Sequence, residues 1–274
     1  MDELYVVARR VLLNALDALG THREAVVIVG AQAIYMRVGE ADLAVAAFTT
    51  DGDLGIEPTL LADVPALEAA LTAANLRVPT TSNVGVWTTE VLLADGTPAK
   101  VSIDLLVPRG ISPDAGRRSA PLKGHHALAA RAVVGLEGVV VDHDRLAISA
   151  LEEGDVRSIE VRVAGPASLI VAKLHKITER VGTARLKDKD ALDVLRLLRG
   201  TTSAELAERF ARLRADDRSS AVTEQALQML PALFGRAGAT GIEMAIRAIE
   251  GLANPAEISA SFELLTNDLV KLLK

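Results

Sequence analysis

Two aspartates separated by one residue could hold a divalent metal ion. Asp51 and Asp53 lie in Thr49–Ile56, a run whose residue types predict a strand. Side chains two positions apart on a strand point to the same face, about 7 Å apart. Two carboxylates on one face suit Mg²⁺, which takes oxygen ligands and leaves room for substrate phosphates. A third carboxylate, Asp104, lies in the apolar run Val101–Val107, where a buried charge needs a partner or a metal.

A glycine before this strand could approach a phosphate. Gly30 begins a helical pattern in which Ile34 and Val38 follow at spacings of four residues. A small residue at the start of a helix lets backbone N–H groups approach an anion closely. The sequence therefore predicts a phosphate-binding helix start beside a metal-binding strand.

The acid-x-acid pattern is not specific by itself. It also occurs at Asp142-His-Asp144, which we interpret as a hairpin turn between Val139–Val141 and Leu146–Ile148, and at Asp188-Lys-Asp190. What distinguishes Asp51 and Asp53 is the helix start before them and Asp104 after them. The alternative interpretation is a solvated turn at 51–53 and a salt-bridged Asp104.

A lysine on an apolar helix stripe is a second candidate. Lys173 shares its helix face with Leu169, Ile170 and Ile177, so it either extends its ammonium to solvent or points at an anionic group. Lys176 and Arg180 continue roughly the same side at successive turns. A triphosphate is one partner that would use such a row.

Two aspartates on the following predicted helix could hold these cations. Asp190 and Asp193 are three residues apart, and they could position Lys173 or Arg185 by charge-assisted hydrogen bonds. Alternatively, they are ordinary exposed acids near a helix N-terminus, where negative charge is favoured.

Composition limits the class of protein. The chain has 274 residues, of which 50% are hydrophobic and 24% charged, and it has no cysteine, which excludes disulfides and thiolate metal sites. No apolar run reaches the roughly 18 residues of a membrane helix, and the acidic N-terminus lacks a signal-peptide start, so we expect a cytoplasmic protein with no membrane partner. The net charge of −6 argues against a broad nucleic-acid-binding surface. Residues 109–131 and 173–199 are nevertheless locally basic.

The periodicity predicts an α+β fold. The N-terminal part should form a mixed sheet with helices at 3–19, 31–38 and 65–76, the last capped by Asp63. The predicted strands are Thr49–Ile56, Val84–Leu93, Lys100–Val107 and Ser158–Val163, and Val26–Val29 is either a short strand or the entry to a helix. Helices alone are predicted from Pro166, at 166–180, 187–199, 203–214, 219–230, 240–251 and 255–273. We therefore expect an α/β domain at 1–163 and an all-helical domain at 164–274.

These segments together resemble a known family. Gly30-Ala-Gln-Ala, Thr49-x-Asp51-x-Asp53-Leu, Pro166-x-x-Leu-x-x-x-Lys173-Leu and Arg185-x-Lys-x-x-Asp190-x-x-Asp193 occur in the order seen in AbiEii-like (MenT-type) nucleotidyltransferase toxins. The resemblance spans roughly residues 26–199. The chain departs from the wider superfamily in opening its helix with Gly30-Ala31, in having Gly52 between the acids, and in an apparent insertion at 39–47.

The resemblance implies a fold, a reaction and partners. Asp104 is the expected third carboxylate, either a further ligand of Mg²⁺ or the base for the attacking hydroxyl. The resemblance implies a nucleotidyltransferase-like N-terminal domain, in which Asp51 and Asp53 bind the catalytic Mg²⁺, Lys173 contacts the nucleotide as part of the catalytic set, and Asp190 or Asp193 completes the site. Together with the residue patterns above, it gives the candidate substrate-binding residues Gly30, Ala31, Thr50, Lys176, Arg180, Arg185 and Asp193. The implied reaction moves a nucleoside monophosphate from an NTP to an acceptor hydroxyl on RNA, at the 3′ end of a tRNA. Family members are toxins paired with an antitoxin.

Two other functions fit parts of the same sequence. One is transfer to a small hydroxylated molecule such as an aminoglycoside, which is cationic and is therefore disfavoured by the basic 109–131 stretch. The other is a catalytically degenerate protein that binds a nucleotide or a protein partner. The unusual residues Gly52 and Gly30-Ala31 favour this alternative.

Overall fold

The structure is a computed structural model that describes residues 2–39, 49–112, 118–249 and 251–274. Apart from Gly39, the apparent insertion at 39–47 lies outside the described residues. The helices are α1 Glu3–Leu19, α2 Gly30–Val38, α3 Leu67–Ala73, α4 Pro166–Arg180, α5 Lys189–Gly200, α6 Ser203–Ala215, α7 Ser220–Phe234, α8 Thr240–Ala248 and α9 Pro255–Leu272. The strands are β1 Val26–Val29, β2 Asp51–Ile56, β3 Val86–Leu92, β4 Pro98–Pro108, β5 Arg131–Val133, β6 His143–Ser149 and β7 Ser158–Ala164. The predicted α+β class is confirmed, with a mixed sheet followed by helices.

The chain divides into two compact units, each made of more than one segment. Unit 1 is Met1–Ala33, Ala47–Val133 and His143–Ala164, and unit 2 is Ile34–Ala46, Val134–Asp142 and Gly165–Lys274. The predicted domains at 1–163 and 164–274 are continuous segments, and this division stays a prediction.

Unit 1 is built on one mixed sheet. Its strand order is β3-β4-β2-β1-β7-β6, with β5 paired to β4. The central pairs are β2 parallel to β4, β1 antiparallel to β2 and β1 parallel to β7. Central strands carry buried apolar side chains, as in Val26–Val29, where all four residues are buried.

Helix α1 covers one face of this sheet. Asp2 caps the helix by accepting a hydrogen bond from the Tyr5 amide at 3.2 Å. A Cβ at Gly52 would lie 2.9 Å from Ile103 Cδ1 and 3.2 Å from Leu12 Cδ1, so the side chains of β4 and α1 already fill that space. A larger residue between Asp51 and Asp53 would therefore require the side-chain ends of Ile103 and Leu12 to move.

The antiparallel pair β3 and β4 carries the only tryptophan of the sequence. Trp87 is completely buried, lies opposite Ile103, and donates its indole N–H to the Ala129 carbonyl at 2.9 Å. The predicted turn at Asp95-Gly96 joins these strands, and Gly96 has the positive φ of +82° that such turns favour.

Unit 2 contains the C-terminal helices. Their predicted positions are confirmed to within a few residues, and α4 matches its predicted bounds. Helix α7 continues through Pro231 to Phe234, four residues beyond the predicted end. The buried Phe234 stacks on Phe262 at a centroid distance of 4.6 Å, and this packing offsets the backbone hydrogen bond that Pro231 cannot make.

Two local predictions are wrong. Helix α3 begins at Leu67 with Ala66 at its N-cap, and the Asp63 carboxylate pairs with Lys123 instead of capping it. The interpretation of Asp142–Asp144 as a hairpin turn is wrong, because β6 begins at His143 and pairs with β7, while Asp142 is buried.

In the part of the chain that the structure describes, no helix is long and apolar enough to cross a membrane.

Candidate active site

Three aspartates share one face of the unit 1 sheet, which we call the carboxylate face. Asp51 and Asp53 are half-buried and alternate along β2 with the buried Gly52 and Leu54. Asp53 is the register partner of Asp104 on the parallel strand β4. Neighbouring strands lie about 4.8 Å apart, so Asp53 and Asp104 are lateral neighbours on the face opposite Leu12 of α1.

The Asp53 carboxylate lies against the start of α2. A Cβ on Gly30 would lie 2.0 Å from Asp53 Oδ2, so the carboxylate occupies the space that any other residue at position 30 would need. Gly30 also has φ of +66°, a backbone conformation that residues with a side chain rarely adopt. Gly30 is therefore required by both space and backbone conformation, and Ala31 follows it in the buried first turn.

Asp51 is held by a residue that sequence reasoning missed. The buried Thr49 donates its hydroxyl hydrogen to Asp51 Oδ1. Thr50, the predicted substrate-side residue, has a half-buried side chain and accepts a backbone hydrogen bond from Ser102 at 3.3 Å. The Asx/ST pattern Thr-x-Asp is the local feature that could have pointed to Thr49.

Asp104 is paired with an arginine. Arg131 Nη2 donates to Asp104 Oδ2 at 2.6 Å, and the side chains are 21% and 12% exposed. The expectation that a carboxylate in this apolar strand needs a partner is therefore met by Arg131.

The donor chemistry of the carboxylate face fits a small hard cation. Among the described residues, no group of three or more His, Cys, Asp or Glu side chains is arranged to hold a metal. Asp51 is turned to Thr49, Asp53 to Gly30 and Asp104 to Arg131. Mg²⁺ commonly uses only one or two protein carboxylates and takes its other ligands from water and substrate phosphates, so the pair Asp51 and Asp53 suffices as a donor set.

Lys173 in unit 2 belongs to a buried charge network that consists of Lys173, Lys176, Asp190, Asp193 and Arg196. Lys173 Nζ donates to Asp190 Oδ1 and to Asp193 Oδ2, both at 2.7 Å. Lys176 adds a bond to Asp190 at 2.9 Å, and Arg196 adds one to Asp193 at 3.0 Å. The side chain of Lys173 is only 8% exposed, so it is not extended to solvent. This is the arrangement expected if Asp190 and Asp193 position Lys173.

The network fixes the ionisation of its members. Burial alone would lower the pKa of Lys173, but Asp193 and Asp190 outweigh it and raise that pKa above its ordinary value. Burial alone would raise the pKa of Asp190, but Lys173 and Lys176 hold it well below its usual range. Both residues are therefore charged at neutral pH.

The other predicted cations are more exposed. Lys176 is partly exposed beside Asp190, and Arg180 ends α4. Arg185 is exposed and pairs with Glu179 at 3.4 Å, so Asp190 and Asp193 hold Lys173 and not Arg185. The predicted site residues thus form two sets, one on the carboxylate face of unit 1 and one in unit 2.

Asp142 is a structural residue of unit 2. Its carboxylate accepts a bond from the Ser168 amide at 2.9 Å and from Arg209 at 2.8 Å. A Cβ at Gly165 would lie within 2.3 Å of the carboxylate oxygens, so only glycine fits before Pro166. Asp142 therefore caps the start of α4 from 26 residues upstream.

A family model described as nucleotidyltransferase matches residues 9–215. An antigenic nucleotidyltransferase-like protein from Paracoccidioides brasiliensis, known from a crystal structure, is 17% identical in sequence. That comparison covers 82% of this chain and 93% of the other, with a TM-score of 0.42. No curated protein matches the sequence.

Proposed function

This chain belongs to the nucleotidyltransferase family, and we propose that it moves a nucleoside monophosphate from an NTP to an acceptor hydroxyl. In this reaction the acceptor oxygen forms a bond to the α-phosphorus, the bond to the β-phosphate oxygen breaks, and pyrophosphate leaves. Such transfers depend mainly on positioning and on charge neutralisation.

The observation that carries the proposal is the contact between the Asp53 carboxylate and Gly30. A carboxylate that can hold a metal lies directly against a helix start whose backbone N–H groups can bind phosphate. We assign Gly30, Ala31 and Thr50 to the nucleotide phosphates, and Asp51 and Asp53 to Mg²⁺. When bound, the ion would neutralise phosphate charge and align the attacking and leaving oxygens.

Asp104 is the third carboxylate of the proposed site. It is either a further metal ligand or the base that accepts the proton of the attacking hydroxyl. Its register opposite Asp53 supports either role, because a metal ligand and a general base would each have to lie on the carboxylate face.

The unit 2 residues are assigned from the sequence resemblance. Lys173, with Asp190 and Asp193, would complete the catalytic set, and Lys176, Arg180 and Arg185 would offset phosphate charge. The buried network supports a fixed orientation for Lys173, because two carboxylates hold its ammonium.

The proposed acceptor is RNA, specifically the 3′ end of a tRNA, and the proposed setting is cytoplasmic. The ordered motifs of AbiEii-like toxins support this choice, as does the basic character of residues 109–131. By the same resemblance we propose that the chain is the toxin of a toxin–antitoxin pair.

The test is transfer of label from each α-labelled NTP to total RNA with Mg²⁺ present. We expect wild-type protein to label a tRNA-sized band, and Asp51→Asn or Asp53→Asn to lower the rate by at least about 100-fold. Adding EDTA should abolish labelling.

Asp217→Asn is the matched control, because Asp217 is exposed in a turn and should keep wild-type turnover. Wild-type turnover in Asp53→Asn would remove the metal assignment. Label transferred to an aminoglycoside and not to RNA would select the small-molecule alternative, and no transfer with any NTP would select the degenerate one.

A further inference from the structure

The guanidinium of Arg131 lies beside Asp104, the third carboxylate of the proposed site. Its Nη2 lies 2.6 Å from Asp104 Oδ2, a charge-assisted hydrogen bond that is mostly shielded from solvent. In the sequence, Arg131 is the last residue of the basic stretch 109–131.

The backbone around Arg131 fixes where its side chain can go. Arg131 begins β5 and is the register partner of Leu106 on β4, two residues beyond Asp104. On its other side, Arg131 forms a bridge with Ser119, and the Ala132 amide donates to the Arg118 carbonyl at 2.9 Å. Because Leu106 and Asp104 lie on the same face of β4, the guanidinium is directed along the sheet to the carboxylate.

This placement gives Arg131 the electrostatic role that a metal ion would have. Asp104 and Asp53 are lateral neighbours, and like charges on adjacent strands repel. Arg131 offsets the charge of Asp104 when no metal is bound. With Asp104 Oδ2 on Arg131, the described residues include no group of three carboxylates arranged to hold a metal, so Asp104 would have to reorient, at the expense of this bond, to become a third ligand.

We propose that Arg131 competes with a divalent metal ion for the Asp104 carboxylate. Arg131 is then a positioning residue that keeps Asp104 out of the metal site at low metal concentration. It sets the metal concentration at which Asp104 becomes a third ligand of the ion. This inference rests on the proposed function, because it takes the carboxylate face as the metal site.

The experiment measures metal binding without turnover. The full chain is titrated with MgCl₂ in the absence of nucleotide, and the melting temperature is followed to its half-maximal shift. We expect Arg131→Gln to lower the Mg²⁺ concentration at half-maximal shift by about five-fold, the size expected for loss of one partly exposed ion pair. In an Asp104→Asn background, Arg131→Gln should leave the midpoint unchanged.

Arg77→Gln is the matched control, because Arg77 pairs with Glu90 at 3.4 Å in the same unit but away from the three aspartates. It should keep the wild-type midpoint. A midpoint in Arg131→Gln that equals the wild-type value, or a higher one, overturns the proposal. A merely structural role for Arg131 would destabilise the protein without strengthening its response to metal.

The outcomes also separate this inference from the proposed function. If Arg131→Gln does not fold, Arg131→Lys is titrated instead, because lysine keeps the positive charge but cannot reproduce the guanidinium bond to Asp104. The proposal expects its Mg²⁺ midpoint to fall, and an unchanged midpoint overturns it. A wild-type protein that transfers nucleotides but whose Mg²⁺ response is unaffected by these variants loses only the inference. A wild-type protein with no response to Mg²⁺ loses the inference and the metal assignment together.

Discussion

The two aspartate groups of this protein differ in how their charge is balanced. On the carboxylate face, Asp51 and Asp53 are half-buried and directed to different neighbours along one strand. In the charge network, Asp190 and Asp193 converge on one buried ammonium, with Lys176 and Arg196 at the sides. The first group keeps oxygen atoms near solvent, whereas the second is neutralised within the protein.

This difference separates carboxylates that remain open to a ligand from carboxylates whose charge is already balanced within the protein. A buried charge is tolerated when its partners remain in place, so removing one partner is costly. Replacing a half-buried carboxylate by an amide costs little stability, because water solvates either form. We therefore expect aspartate substitutions to cost more stability in the charge network than on the carboxylate face.

The largest expected effect comes from breaking the network at its centre. Lys173→Met leaves Asp190 and Asp193 buried and facing each other, and we expect it to lower the free energy of unfolding by about 3–5 kcal/mol. Urea denaturation followed by circular dichroism measures the loss. Lys187→Met, at an exposed position, should change stability by less than about 0.5 kcal/mol. If Lys173→Met kept the wild-type stability, the network would not be structural.

A smaller effect, with a defined pH dependence, is expected for Asp190→Asn. It removes bonds to Lys173 and Lys176, and it should cost about 2 kcal/mol at pH 7. Folding lowers the pKa of Asp190, so its contribution is present above the unfolded-state pKa of about 3.9 and is lost as the pH falls through the folded-state pKa. The stability difference between Asp190→Asn and wild type should therefore stay constant from pH 8 to 5 and shrink below about pH 4. A difference that grew on acidification would contradict the assignment.

The smallest expected loss of stability occurs on the carboxylate face, at Gly30. Gly30→Ala places a residue with a side chain at φ of +66°, at a cost of about 1–2 kcal/mol, and pushes the Asp53 carboxylate aside. Nucleotide transfer should fall far more than this loss of stability accounts for. Melting temperature and transfer rate measured on the same preparation separate the two effects.

Gly96→Ala is the control for backbone strain alone. Gly96 has φ of +82°, but a Cβ there would meet no atom within 4 Å. It should lose similar stability and keep its transfer rate. Equal loss of transfer in both variants would show that the contact between Gly30 and Asp53 has no special role.

Local sequence patterns predicted most of the elements. Hydrophobic periodicity located α1 and the C-terminal helices, and alternation with a turn pair located β3 and β4. The spacing of Asp190 and Asp193 left Lys173 and Arg185 as possible partners, and Lys173 is the cation that they hold. The helices and strands depend on residues within a few turns of each other, so a single sequence contains them.

Long-range contacts could not be predicted in this way. Asp142 lies between two apolar runs like a turn residue, yet it caps a helix 26 residues downstream. Asp104 was expected to need a partner, but only the register of β5 on β4 brings Arg131 to it. The requirement for glycine at position 30 likewise depends on Asp53, 23 residues away. The roles of the site residues themselves stay predictions.

The position of Trp87 gives unit 1 an optical reporter of its own. The indole is buried beside the carboxylate strand β4, opposite Ile103, and no other tryptophan of the sequence contributes emission. Far-ultraviolet circular dichroism is dominated by helices, most of which lie in unit 2. Fluorescence and dichroism recorded on one sample therefore follow different parts of the chain, and their transition curves will coincide only if the two units unfold as a single cooperative system.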